Sequence, residues 1–228
     1  MISVDMNDSV KNMILASIVL VLASMYGGDT LGSWFHWQTE IDYNDGDTQE
    51  DVTEFYLEGY KWEWEFDAGG ETGLSDNDDD DDIDYDDNDC SSGDCDELYD
   101  LMQGIIQNLL YVVILAGGAA LYFINDGDQE KGALACLTMG GAALLAVGLF
   151  TLSFPEALHD DMEAFESQRD DFDEDPSLFG DDRQTTDADN FFYGENVDID
   201  RSWRPGLAFL LVTLSGIFGM AAYTELKN

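Results

Sequence analysis

The chain has 228 residues with 8 basic and 50 acidic side chains, a formal net charge of -42, and yet it is 45% hydrophobic. A charge of that sign argues against nucleic acid and acidic lipid headgroups as partners. The two figures are compatible because charge and apolar residues are segregated. Residues 28–102 carry 27 acids against one base, Lys61, and residues 154–205 carry 17 against four Arg, leaving 6 acids and three Lys for the rest. Alternating apolar and acidic blocks are the pattern of a polytopic membrane protein.

The first apolar block, Met13–Tyr26 extended by Gly27 and Gly28, reads as a span within residues 1–28. Leu22-Ala23-Ser24-Met25-Tyr26 also resembles a signal-peptide cleavage region. The preceding segment holds one Lys and two Asp, a poor positive region, so a retained span is expected.

Residues 29–102 form a first acidic loop. Trp37, Thr39, Ile41 and Tyr43 alternate with Gln38, Glu40 and Asp42, a period of two, and Asn44-Asp45-Gly46 is a turn signal. Thr53, Phe55 and Leu57 alternate in the same way. After Gly59 the parity switches, and Tyr60, Trp62, Trp64 and Phe66 alternate with Lys61, Glu63 and Glu65. A switch at Gly suggests a bulge or tight turn. These runs predict a small antiparallel sheet over about 35–66 with one aromatic face, and Trp37, Tyr60, Trp62, Trp64 and Phe66 are its candidate partner contacts. The Asp-rich stretch at about 70–89 lacks apolar surface to offset its ordering entropy and reads as a mobile insertion. Cys90 and Cys95 are close enough for a turn closed by a disulfide, with free thiols as the competing state.

Residues 103–154 hold two spans, about Ile105–Ile124 and Gly132–Phe154, joined by a short inner loop. Cys136 reads as a small packing residue. The second acidic loop, 155–205, opens with Pro155 and places Leu158, Met162 and Phe165 at helical spacing, so the third helix restarts or continues past the membrane. Asp170–Asp189 reads as flexible, while Phe191–Tyr193 and Val197–Ile199 supply one more strand. Gly206–Tyr223 is the last span, within 206–228. Small residues four apart, Ala116 and Ala120, Ala142 and Ala146, Ser215 and Gly219, let helices approach closely. Packing inside the chain's own bundle is the expected use, ahead of an oligomer face.

The expected fold is therefore a membrane four-helix bundle with a small extracellular antiparallel β-sheet from the outer loops. Lys11, Lys131 and Lys227 favour cytoplasmic termini and Arg201 and Arg204 vote the other way, but a disulfide needs an oxidising compartment. The acidic loops are thus expected outside the cell membrane, both termini in the cytoplasm.

No ionisable residue lies within a span, and no nucleotide loop, nucleophile–base pair or redox motif occurs, so an enzyme is not expected. Neither a cofactor nor a metal site is expected: the histidines, His36 and His159, are isolated, and EF-hand spacing around Gly46 would put Ile41 and Val52 at ligand positions. A diffuse cation layer at the acidic loops is expected instead. Asp richness with few Lys matches salt-adapted proteins, pointing to a marine or halophilic prokaryote, an archaeon.

The order of parts resembles the claudin and peripheral-myelin-protein group: four spans, a first outer loop forming a sheet, Trp37 and Trp62-Glu63-Trp64, then Cys90 and Cys95 before the second span, with Tyr99 and Phe191–Tyr193 similarly placed. The Gly-Leu-Trp part of the family motif is absent, the cysteine gap is shorter, and an acidic insertion separates Trp64 from Cys90. The resemblance implies cell–cell sealing or an auxiliary-subunit role. The expected function is a non-enzymatic membrane scaffold, adhesion or accessory-subunit protein whose outer loops contact a protein partner or a second copy. The alternative is an oligomeric cation channel with an acidic outer vestibule.

Overall fold

The computed structural model describes residues 6–43, 47–67, 77–85, 95–161, 178–186 and 197–227. The helices are α1 (Met6–Tyr26), the short α2 (Gly28–Leu31) and α3 (Asp96–Tyr99), a π-helical turn (Asp100–Ile106) leading into α4 (Gln107–Asp126), α5 (Gln129–Asp161) and α6 (Leu207–Lys227). Four of these helical runs are long and apolar enough to cross a membrane. They pack as a ring, α1 on α6, α6 on α5, α5 on α4, closed more lightly by α4 on α1.

Small residues set the ring's tightest seam. A Cβ at Gly140 of α5 would lie 2.8 Å from the Met220 amide nitrogen, and one at Gly219 of α6 would lie 2.6 Å from the Gly140 Cα. Only two glycines let these backbones touch. Across α1 and α6, the Ser17 and Ser215 hydroxyls lie 2.6 Å apart, and Ser17 also donates to the Ser215 carbonyl at 3.1 Å. Small residues at Gly140, Ser215, Gly216 and Gly219 thus pack within the bundle. Cys136 is a buried free thiol among the core side chains.

The strands are β1 (Phe35–Tyr43), β2 (Thr48–Phe55), β3 (Gly59–Asp67), β4 (Asn77–Asp84), β5 (Gly180–Thr186) and β6 (Val197–Pro205). They form one six-stranded sheet in the order β4-β3-β2-β1-β6-β5, every neighbouring pair antiparallel. β1 is central and joins the two loops into one sheet. Its start is tied down by backbone bonds from Trp34 N to Phe55 O (2.7 Å), Gly206 N to Trp34 O (2.8 Å) and Ala208 N to Ser33 O (2.8 Å).

Two expectations change here. The proposed mobile insertion at about 70–89 contains β4, and the stretch proposed as flexible at Asp170–Asp189 contains β5. Neither strand has an apolar alternation. Each is held by its backbone ladder to β3 or β6, an interaction that side-chain patterning does not report. The parity switch at Gly59 is a tight turn: β2 ends at Phe55, and the Tyr56 amide donates to the Gly59 carbonyl at 2.8 Å. The last strand runs on from Val197 to Pro205. Asn44–Gly46, Cys90, Met162, Phe165 and Phe191–Tyr193 lie outside the described residues.

α5 is 33 residues long and continues through Pro155, giving about 50 Å of helix against a hydrocarbon core of about 30 Å. Proline ordinarily breaks a helix; here Phe154, Ala157 and Leu158 around it are buried and hold the segment in place. At the start of the second long apolar helix the π-turn frees carbonyls, and Asn108 Nδ2 donates to Gln103 O (3.2 Å) and Gly104 O (2.8 Å). Past Asp126, Gly127 adopts φ 84°, the left-handed cap that lets α4 turn into α5.

Candidate functional site

Strand pairing sorts the sheet side chains onto two faces. One carries Phe35, Trp37, Phe55, Tyr60, Trp62, Trp64, Phe66 and Trp203, because directly opposed residues share a face. Its half nearest the helices is seated on the upper part of α5. Trp34 lies 5.1 Å from Phe150, Phe35 4.9 Å and Phe55 5.4 Å from Phe154, and Phe150 stacks on Phe154 at 4.6 Å. Each such fully buried Phe contributes roughly 1.5–3 kcal/mol, so the sheet is fixed to the bundle by an aromatic plug.

The five candidate contact residues divide between core and surface. Tyr60 is 4% exposed and packs on Phe55 at 5.6 Å, so it belongs to the plug. Trp37 is half-buried, stacked on Trp203 at 5.2 Å and 13°, with its indole N–H donated to Thr39 Oγ1 at 3.2 Å. Trp62 is partly buried against the same core. Trp64 and Phe66 are half-buried farther from the helices, stacked at 6.3 Å and 19°, and Tyr43 meets Phe66 edge-on at 6.3 Å.

Three polar residues complete this outer half. Tyr43 Oη donates to Gln49 Oε1 at 3.1 Å, and Gln49 Nε2 donates to Asp51 Oδ2 at 3.0 Å. Asp51 is directly opposite Trp64 in the β2–β3 ladder and opposite Thr39 in the β1–β2 ladder. Burial pushes the Asp51 carboxyl up from its ordinary range, and the Gln49 hydrogen bond offsets part of that rise. A relay of two hydrogen bonds therefore orients a partly desolvated carboxylate beside two stacked rings. The sequence reading passed over Asp51 and Gln49 because acids are abundant throughout this loop; their inward parity opposite Trp64 and Phe66 was the available signal.

The opposite face is polar and charged. In the row closest to the helices, His36 Nδ1 lies 3.4 Å from Glu54 Oε1, and Tyr56 Oη donates to Glu54 Oε2 at 2.6 Å. The His36 hydrogen bond leads, with Tyr56, the His36 charge and Lys61 adding, in holding the Glu54 carboxyl below its ordinary value against the opposing effect of burial. Farther out, Asp200, Glu40, Glu50 and Glu65 stand directly opposite one another across four adjacent strands. Gln38 Nε2 donates to Glu50 at 2.8 Å, and Arg183 Nε reaches Asp200 at 3.3 Å. An open depression of about 370 Å³ lies at that end, lined by Gln38, Glu40, Asp181, Arg183, Asp200 and Ser202. Among the described residues no group of three or more His, Cys, Asp or Glu is arranged to hold a metal ion.

Comparison with known protein families matches none of their models, and comparison with curated proteins finds no match.

Proposed function

We propose that the chain is a multi-pass membrane scaffold or accessory subunit, not an enzyme, whose rigid outer sheet presents a docking face to another protein. One observation carries this reading: Trp64, Phe66 and Tyr43 are half-buried on the part of the aromatic face beyond its seat on α5. Aromatic side chains held in a rigid frame lose little further entropy on binding and are enriched at interaction hot spots.

On this reading the four long apolar helices cross the bilayer, and the exposed side chains of Leu15, Val19, Leu115, Leu134, Leu145 and Ile217 face lipid; their length and hydropathy support it. The acidic loops stand outside and both termini in the cytoplasm. The Cys90–Cys95 disulfide belongs to the same proposal and would staple the loop to the start of α3. The claudin-like reading belongs to the same proposal and rests on the order of parts alone: four long apolar helices and an antiparallel sheet that includes the first acidic loop. Salt adaptation is part of the same proposal: salt would screen the repulsion among the aligned carboxylates Asp200, Glu40, Glu50 and Glu65.

The test is crosslinking in the native membrane, gentle purification and mass spectrometry. A reproducible protein partner is the expected outcome; a monodisperse monomer without a co-purifying protein overturns the reading. The channel alternative draws on the row Asp200–Glu40–Glu50–Glu65, which would concentrate cations at an oligomer's mouth. Cation flux into liposomes that is lost on neutralising this row would favour it, and flux no higher than in empty liposomes would remove it.

A further inference from the structure

The outer half of the aromatic face combines features that a generic sticky surface would lack. Asp51 is in register with Trp64, and its carboxylate is aimed by Gln49, itself oriented by the Tyr43 hydroxyl. Among the described residues no cation reaches Asp51; Gln49 supplies its hydrogen bond. Arg201 lies in the same row beyond Thr39, but it is 5% exposed and engaged in contacts of its own. A partly desolvated carboxylate without a counter-charge is an unfavourable arrangement for stability alone.

We propose that Asp51, Trp64 and Phe66 form a recognition site for an arginine side chain of the partner protein. The guanidinium fork matches a carboxylate and its plane stacks on aromatic rings, so one side chain satisfies both halves of the site. Cation–π attraction to Trp is worth roughly 0.5–2 kcal/mol as the site becomes desolvated. Lysine offers a point charge but no plane to stack, and is the weaker fit. Headgroups of the protein's own membrane are a poor source of the cation. Trp64 stands four residues outward along β3 from Tyr60, the residue packed in the plug, a distance of about 13 Å at about 3.3 Å per residue.

This proposal rests on the docking reading above and adds the chemistry of the partner. The test uses the full chain in nanodiscs of neutral lipid, titrated at constant ionic strength with the capped tripeptide Gly-Arg-Gly. Its citrulline analogue, of the same shape without the charge, serves as control. Binding is followed by saturation-transfer NMR, which suits weak ligands. The arginine peptide is expected to bind saturably, with the citrulline and lysine peptides at least tenfold weaker. Asp51→Asn and Trp64→Leu are expected to weaken the arginine peptide at least tenfold, and Glu40→Gln, on the other face, to leave it unchanged. Equal binding of the arginine and citrulline peptides to the wild-type chain overturns the site, and this comparison needs no variant to fold. An equal loss in Glu40→Gln also overturns it, because it marks diffuse attraction to the acidic surface.

Native-membrane crosslinking separates the two levels. A partner recovered equally with wild type and Asp51→Asn removes the site and keeps the docking reading. Selective arginine-peptide binding with no partner recovered keeps the site and removes the docking reading.

Discussion

Asp161 accepts the Leu98 backbone amide at 2.6 Å and the Glu97 amide at 3.2 Å, so the last residue of α5 caps the helical run that leads into α4. The N-cap residue itself, Cys95, makes no side-chain cap. The first amides of a helix lack intrahelical partners, and a carboxylate there also meets the positive end of the helix dipole. Asp161 is 8% exposed, so the contact is shielded from water. Asp161→Ala is expected to cost about 1–3 kcal/mol. Thermal unfolding in nanodiscs reads the loss, and hydrogen exchange should show faster exchange at Leu98. Unchanged protection at Leu98 would show that the cap contributes nothing.

The α5–α6 seam gives a prediction with built-in controls. Gly140→Ala or Gly219→Ala places a methyl against backbone atoms of the facing helix. Overpacking of this kind costs about 1–3 kcal/mol. At Gly118 and Gly141 nothing lies within 4 Å of an added Cβ, so alanine there should be neutral or slightly stabilising. Equal melting temperatures for all four variants would refute the close approach.

Ser17 and Ser215 should be coupled. Apolar surroundings strengthen a hydrogen bond, but measured values between membrane helices average about 0.6 kcal/mol. A double-mutant cycle with Ser17→Ala and Ser215→Ala should return a coupling of that order. A coupling of zero would mean that each hydroxyl finds another partner.

Two carboxylates of the sheet make opposite contributions to pH dependence. Glu54 titrates below its ordinary 4.5 in the folded protein, so its stabilising contribution is present above that value and is lost as the pH falls through the lower folded value. Glu54→Gln should flatten the acid limb of the stability profile. Asp51 titrates above its ordinary value, so it opposes folding at neutral pH and that cost is relieved as the pH falls through the raised value. Asp51→Asn should therefore raise the unfolding midpoint at neutral pH while weakening the arginine peptide. A lowered midpoint would show that the carboxylate is a structural element after all.

The aligned acids predict a salt requirement. Glu50 faces Glu40 on one side and Glu65 on the other, and like charges directly opposite each other cost a few tenths of a kcal/mol to about 1 kcal/mol per pair. Screening lengths fall from about 10 Å at 0.1 M salt to about 3 Å at 1 M. The sheet should therefore unfold at higher temperature as salt rises, and Glu50→Gln should raise the midpoint most at low salt. A midpoint indifferent to salt would show that the row is already compensated.

The four long apolar helices were legible from unbroken apolar runs, and β1, the inward parity of β3 and the aromatic face from local patterning, because a strand's own alternation records which of its sides is buried. Gly140 and Gly219 were readable as small, but their meeting depends on how two helices cross. β4 escaped notice because a run of aspartates has no apolar side. Its order comes from the backbone of β3, whose Tyr60 packs on Phe55 in the aromatic plug. β5 is ordered in the same way by β6.

The sequence by itself determined that long apolar helices and acidic loops alternate and that one loop folds with its aromatic residues on one face. Those properties follow from burial, which acts residue by residue along a local repeat. Only the tertiary structure decided that both loops share a single sheet through β1, that Asp161 caps a helix 63 residues earlier, and that Tyr43, Gln49 and Asp51 converge beside Trp64 and Phe66. These are pairings between distant segments, and their energy lies in the register of one strand or helix against another rather than in the pattern of either.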